Sequence, residues 1–403
     1  MRNVTKKISK DGTATYLIRV SAGYNTEGKQ IKKSITYKPS PNMTQRQIEK
    51  ELEKQAILFE QKIKSGYCVD ENIRFADFAE NWLEINKANF APMTYTRYKN
   101  LLIRINQAIG HLKIGKIQPM HLKNFYKDLG DVVSEKTKQK LSQQSIKHYH
   151  RCISAILATA TKEQIIPRNV ASRAYMDSPK VEKKEPPHMD TEQAQKFVEL
   201  LMNDKDIRVK TSLSLLIYSG IRNGELCGLE WSDIDFKNYI ITIRRTSQYC
   251  KGYGVITKEP KNATSKRTIK LSQEVFKILF AYKLWYRQQK ILNGDRWVNS
   301  DRLFIQEDGK AIQPATINRW LNTFIESNNL PKLTPHSMRH TFCTLLIANG
   351  VDIRTVSAKA GHSRTSTTLD IYTHAVKAAD ELASQVLDDI LTPQKNKSLN
   401  HNF

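Results

Sequence analysis

Between residues 336 and 372 the sequence sets out His336-Ser337-Met338-Arg339, then Gly361-His362-Ser363, then Tyr372. Further upstream, Ser219-Gly220-Ile221-Arg222-Asn223-Gly224-Glu225 adds a second arginine at the mouth of an expected helix-turn. These residue types suit attack on a phosphodiester without a metal. Two guanidiniums, Arg222 and Arg339, stay charged and grip phosphate oxygens in pairs. A tyrosine offers an oxygen nucleophile, but with a pKa near ~10 only about one phenol in a thousand is ionised at pH 7. It therefore needs positive surroundings or a neighbouring base. A histidine or lysine can hand a proton to the departing 5′-oxygen. Together the set points to covalent cleavage of a DNA strand through tyrosine.

Other chemistries fit less well. The G-x-x-x-x-G-K-[ST] loop of nucleotide hydrolases is absent, and the acidic residues form no obvious pair for a two-metal nuclease. Ser337 beside His336 suggests a hydrolase dyad, yet no G-x-S-x-G elbow accompanies it. Taken one at a time, the residues have ordinary uses. A lone histidine is commonly a core or capping residue, a lone tyrosine packs, and Arg222 ahead of Glu225 makes an i,i+3 ion pair. The ordered set is what outweighs these readings.

The whole chain agrees with a polyanionic partner. Its 403 residues hold 64 Lys and Arg against 40 Asp and Glu, a formal charge of +24. Neutralised phosphates release condensed counterions, so such an excess drives association with nucleic acid. The five cysteines, Cys68, Cys152, Cys227, Cys250 and Cys343, lie far apart with no C-x-x-C pair. They suggest neither a metal site nor a disulfide framework, and a reducing cytosol fits. No apolar run is long enough to span a membrane, and the N-terminus has no signal-peptide pattern. A cytoplasmic protein is expected.

Three elements must position this chemistry. The first is a small α+β module. Tyr16–Val20 and Ile31–Tyr37 read as strands around the turn Asn25–Gly28, and a helix opens with the capping box Thr44-Gln45-Arg46-Gln47 and ends at Gly66. Arg19, Lys32 and Lys33 lie on these strands and are candidate DNA contacts, although a basic strand edge also guards against aggregation. The second element is helical from about Phe75 to Ala171. Stripes at helical spacing run through Phe75–Leu83, Thr94–Ile109, Leu122–Leu129 and Ser145–Ala160. Their aromatics read as core, which leaves DNA binding to basic residues of the outer faces, Arg97, Lys136, Lys147 and Arg151 among them. The proline-bearing segment Asp177–Pro187 reads as a linker, and Asp190 with Gln193 starts the third element, a mix of helices and short strands such as Tyr239–Ile243 and Arg267–Leu271.

At this point the sequence resembles the tyrosine recombinase (phage integrase) family. SGIRNGELCGLEWSDID, from Ser219, is similar to the family's first arginine box. Residues 333–375 resemble the second box through the nucleophile: H-x-x-R, then G-H-S, then T-T-x-x-x-Y, in family order. The likeness extends to the helical segment, which resembles the core-binding domain. The N-terminal module resembles the arm-binding domain of integrases from temperate phages and conjugative transposons of Gram-positive bacteria. It implies a multidomain α+β protein. A three-stranded sheet plus helix (1–66) would bind arm sites, a four-helix domain (72–176) would bind the core site, and 177–188 would link them to a mainly-α catalytic domain (189–391) with a 392–403 tail.

The resemblance also implies roles. Tyr372 becomes the nucleophile of a 3′-phosphotyrosyl link, with Arg222 and Arg339 clamping the scissile phosphate. His336 positions or deprotonates the tyrosine, and His362 hydrogen-bonds a phosphate oxygen. A lysine in a β-hairpin between the boxes, here within Lys258–Thr268, acts as general acid. Lys261 matches best, with Lys258 and Lys266 as alternatives. Glu225 orients backbone or arginine behind them. Ala358-Lys359-Ala360 departs from the family's leucine-rich run. No metal and no cofactor is implied, because the phosphotyrosine stores the bond energy. The implied partners are double-stranded attachment sites, three sister subunits in a homotetramer, and a directionality factor or host DNA-bending protein on the nucleoid. An architectural DNA-binding protein without catalysis and a chromosome or plasmid dimer resolvase are the competing readings. The N-terminal module argues against a resolvase, since those relatives generally begin at the four-helix domain. Finally, Ala379, Leu382, Ala383, Val386, Leu387 and Ile390 line one face of an acidic C-terminal helix. That helix is expected to dock on a neighbouring protomer.

Overall fold

A computed structural model of the chain describes residues 4–8, 14–24, 27–64, 73–134, 137–182, 186–259 and 266–362. The chain divides into two units, residues 1–183 and 184–403. Lys136, Lys261, Tyr372, Gly66, Cys68 and the acidic tail lie outside the described residues.

The first unit begins with an antiparallel sheet in the order β1 (Val4–Ile8), β2 (Ala14–Tyr24), β3 (Gln30–Tyr37), followed by α1 (Gln45–Lys64). Alternation along β2 sends Tyr16 and Ile18 inward, where they meet Leu52, Phe59 and Ile63 of α1. The helix start is fixed by a reciprocal cap. The Thr44 N–H donates to Gln47 Oε1 (2.8 Å), and the Gln47 N–H donates to Thr44 Oγ1 (3.4 Å).

Four helices then bury a second, separate cluster: α2 (Phe75–Ile85), α3 (Pro92–Ile109), α4 (Pro119–Asp131) and α5 (Gln143–Lys162). Pro92 and Pro119 begin α3 and α4, where a missing N–H costs nothing. The aromatic stripes are core, as their spacing suggests. Phe90 meets Tyr98 edge to face, Trp82 packs tilted against both, and the Trp82 indole N–H donates to Thr159 Oγ1 at 3.0 Å.

The second unit opens with α6 (Thr191–Met202), capped by Asp190 with Gln193 answering as the sequence implies, and continues into α7 (Ile207–Ser219) and the one-turn helix α8 (Asn223–Leu226). Five short strands follow: β4 (Ile234–Asp235), β5 (Ile240–Ile243), β6 (Thr246–Cys250), β7 (Gly254–Lys258) and β8 (Arg267–Lys270). Among the described residues four helices follow: α9 (Gln273–Asn293), α10 (Pro314–Ser327), α11 (Pro335–Ala348) and α12 (Ile353–Ala360). α7 runs through the centre. Leu213, Leu215 and Leu216 are fully buried there, among Leu279 of α9, Leu321 of α10 and Met338 of α11.

One expectation needs correcting here. Lys258–Thr268 is not the turn of a single hairpin, because β7 pairs with β6, whereas β8 pairs with β5. The chain reverses earlier, between β6 and β7, where Gly252 and Gly254 take φ of 87° and 75°. The lysine-bearing stretch therefore connects two sheets. On its β7 side, Arg302 donates to Thr257 Oγ1 (2.6 Å) and to the Gly228 carbonyl (2.7 Å), which fixes the hairpin to the loop after α8.

Candidate active site

Two left-handed glycines shape the site. Gly220 closes α7 at φ 61°, and a Cβ there would run into the Phe342 ring, so both conformation and packing call for glycine. Its carbonyl accepts from Arg339 Nη1 at 2.8 Å. Gly361 ends α12 in the same conformation (φ 69°), and its carbonyl accepts from Arg222 Nη2 at 2.7 Å. Each arginine of the two boxes is thus held by a helix-ending glycine 119 or 139 positions away in sequence.

Arg222 is the N-cap residue of α8. Glu225, three residues on, accepts from the Arg222 backbone N–H (3.0 Å) and from its Nη1 (2.7 Å). The i,i+3 pair that the sequence allows is therefore real, and it leaves the Arg222 side chain 42% exposed with its guanidinium steered toward Gly361. Glu225 itself is buried, and burial raises the pKa of its carboxyl. The hydrogen bonds and charges of Arg267 and Arg222 outweigh that and hold it below the ordinary range.

Arg339 is 2% exposed, one turn into α11 behind a Thr334–Ser337 capping box. Its Nη2 is buried with no hydrogen-bond partner among the described residues. An unsatisfied buried donor on a cation is costly unless a ligand completes it. Desolvation first, and the nearby Arg222 charge second, pull the Arg339 guanidinium down to about 10, so it stays charged at neutral pH.

The histidines gather around these arginines. Burial and the charges of Arg339 and Arg222 push His362 down to about 3 and lower His336 as well, so both are neutral imidazoles at pH 7. His336 Nε2 lies 3.0 Å from Nε2 of His340, one turn along α11, and one of the two must donate to the other. His340 is pushed down to about 4 by burial, His336 and Arg339. Val356 and Ala360 seal the underside of α12 against Phe342, Cys343 and Ile347, so of the Ala358-Lys359-Ala360 run Ala360 is buried while Ala358 and Lys359 are exposed.

Three guanidiniums, those of Arg222, Arg339 and Arg267, face one carboxylate, which leaves two positive charges in excess. That excess suits a phosphodiester and suits still better the roughly dianionic transition state of its displacement. The structure thus brings together Arg222, Glu225, His336, Arg339 and His362. Two neighbours, Arg267 and His340, are not singled out by the sequence pattern. The signal for His340 was its i,i+4 spacing from His336. Arg267 had no signal beyond its place at a strand start. Of the alternative lysines, Lys266 pairs with Glu259 at 3.1 Å, and Lys258 ends β7 opposite Thr246.

The surface candidates divide. Arg19 pairs across strands with Ser34 and Lys32 with Ser21, on the exposed face of the first sheet. Lys33 pairs with Val20 on the helix-facing side, because adjacent strand residues point opposite ways. On the bundle, Arg97 of α3 and Arg151 of α5 both act on His148. Burial and their charges lower its pKa, so these residues share one patch. Lys147 and Arg151 act likewise on buried His150.

A helical bundle in the first unit and, in the second, arginines and neutral histidines gathered around Arg339 suit a DNA strand-transfer enzyme, and comparison with known proteins agrees. The phage integrase family matches residues 187–379, and the phage integrase N-terminal SAM-like domain matches residues 74–130. The chain belongs to this family, the tyrosine recombinases. The Tyrosine recombinase XerC-like protein of Caldanaerobacter subterraneus subsp. tengcongensis is 26% identical over 94% of this chain and 97% of its own. The integrase of Staphylococcus phage L54a is 26% identical over 80% of this chain and 94% of its own. In fold, the chain is similar to the Tn1549 transposon integrase solved with a circular intermediate DNA. The TM-score is 0.64 and the identity 22%, covering 77% of this chain and 99% of that one. The protein is a site-specific recombinase that acts on DNA. Among the described residues no helix is long and apolar enough to cross a membrane.

Proposed function

We propose that Arg222, Lys261, His336, Arg339, His362 and Tyr372 form one strand-exchange site that integrates and excises a mobile element. The buried, unpartnered Nη2 of Arg339 beside Arg222 is the observation that carries this reading. One non-bridging phosphate oxygen completes that donor, and Arg222 and the neutral His362 take the other. The Tyr372 oxygen attacks phosphorus and loses its proton toward His336. The bond to the 5′-oxygen breaks, and Lys261 protonates that oxygen as it leaves. The resulting 3′-phosphotyrosine is attacked in turn by a 5′-hydroxyl of the partner strand, which restores the tyrosine, so bonds broken and formed balance without a nucleotide. Glu225 keeps Arg222 in place.

Residues 1–66 then serve arm sites through Arg19 and Lys32, residues 72–176 serve the core site through Arg97, Lys147 and Arg151, and residues 189–391 carry the chemistry. A homotetramer on paired sites, assisted by a directionality factor or DNA-bending protein on the nucleoid, fits this division. The acidic tail would dock on a neighbouring protomer, and loss of residues 378–403 would spare single-site binding while abolishing recombination.

A substrate can be captured from random sequence. A pool of random duplexes lightly nicked by DNase I is incubated with the protein in EDTA, and SDS-stable adducts are recovered and sequenced. Adduct is expected with the parent chain and none with Tyr372→Phe. Equal adduct from that variant would refute the assignment.

A further inference from the structure

Arg267 begins β8, immediately after the connector that carries Lys261. Its side chain is only 7% exposed. The guanidinium makes two strong bonds in different directions. Nε donates to the Lys359 carbonyl at 2.7 Å, near the end of α12, and Nη2 donates to Glu225 Oε2 at 2.9 Å. Nη1 lies so close to Gly361 that an added Cβ there would sit 2.6 Å from it. Glu225 holds Arg222, and Arg222 returns to the Gly361 carbonyl. The contacts close a ring, from Arg222 to Glu225 to Arg267 to the end of α12 and back to Arg222. His362 is the next residue, its N–H bonded to the Ser357 carbonyl at 3.0 Å.

A buried guanidinium is costly to desolvate, and burial is tolerated when its fork is fully used. Here the fork is spent on two segments far apart in sequence, the Glu225 turn that holds Arg222 and the end of α12 that precedes His362. A merely stabilising residue could have been apolar at this position. From this geometry we infer that Arg267 is a positioning residue, which locks Arg222 and His362 into one frame. The inference rests on the phosphate-site reading given above.

The test uses the full chain and the captured nicked duplex. Arg267→Lys keeps a cation beside Glu225 but cannot also reach the Lys359 carbonyl, so the fold is retained while the fork is lost. Affinity for the duplex should stay within about threefold, while single-turnover cleavage falls by about 100-fold, the scale of misplacing one oxyanion ligand. In a His362→Ala background the same change should cost measurably less than about 100-fold, because one of the two residues it positions is gone. Glu225→Gln with Arg267→Gln together removes both buried charges and should show the same loss of cleavage without loss of affinity. Cleavage by Arg267→Lys or by the double variant within about threefold of the parent would overturn the inference. So would an equal cost of Arg267→Lys with and without His362. Full activity of His362→Ala alone would instead remove the phosphate-site reading, and the inference with it.

Discussion

The two basic regions of this molecule are built by opposite rules. In the second unit, the arginines are bonded to backbone carbonyls and to a buried carboxylate, and their neighbouring imidazoles are kept neutral. In the first unit, Arg19, Lys32, Arg97 and Arg151 stand on outer faces, where cations keep their hydration. Surface cations supply affinity and register cheaply, one counterion at a time. Groups that must meet a transition state are fixed beforehand, at the expense of burial. On the proposed reading, a single fold therefore separates holding DNA from cutting it.

The separation predicts which property each change will damage. The largest effect belongs to Arg339→Lys, which cannot serve both the Gly220 carbonyl and a phosphate. Cleavage should drop at least about 1000-fold with little change in DNA affinity, and a parallel loss in both would break the comparison. Next comes Gly220→Ala, which forces a Cβ into φ 61° against Phe342. It should cost about 2 kcal/mol, seen as a melting temperature lower by about 5 °C, and it should misplace Arg339 enough to slow cleavage by about 100-fold. An unchanged melting temperature would show that the turn tolerates a side chain.

On the first unit, Arg97→Gln and Arg151→Gln should each weaken binding about fivefold and lower the salt dependence of binding by about one counterion. Cleavage at saturating protein should be unchanged, and a fall in the saturated rate would place the patch inside the chemistry. Lys32→Ala should weaken arm-site binding more than Lys33→Ala, because only Lys32 lies on the exposed sheet face.

The smallest effect is on stability against pH. His362 and His340, at about 3 and about 4 in the folded chain, lie below the ordinary imidazole value of about 6.5. The unfolded chain therefore binds more protons between these limits. Stability is fully present above pH ~6.5 and is lost as pH falls toward the folded values. The urea midpoint should drop between pH 7.5 and pH 5, and His340→Gln should flatten that drop. A midpoint that rises on acidification would reverse the sign.

Much of this was legible in the sequence because chemistry and periodicity are local. Two arginine boxes in order, the caps at Thr44 and Asp190, and four helical stripes need no tertiary knowledge. What escaped depended on where the chain turns. The lysine stretch reads as one hairpin because the positive-φ glycines that reverse the chain earlier resemble any other loop glycines. Arg267 was invisible because its partners lie 42 and 92 residues away. Lys33 could have been separated from Lys32 at the outset, since strand neighbours cannot share a face.

The ring through Arg222, Glu225, Arg267 and Gly361 has a consequence for motion. It draws on three segments between residues 222 and 361, so none can fray while the others stay closed. The backbone amides of Leu226, Ile269 and His362 should then exchange with solvent deuterium through one shared opening, as a single cooperative unit. The arginine boxes, separate as words in the sequence, would breathe as one body.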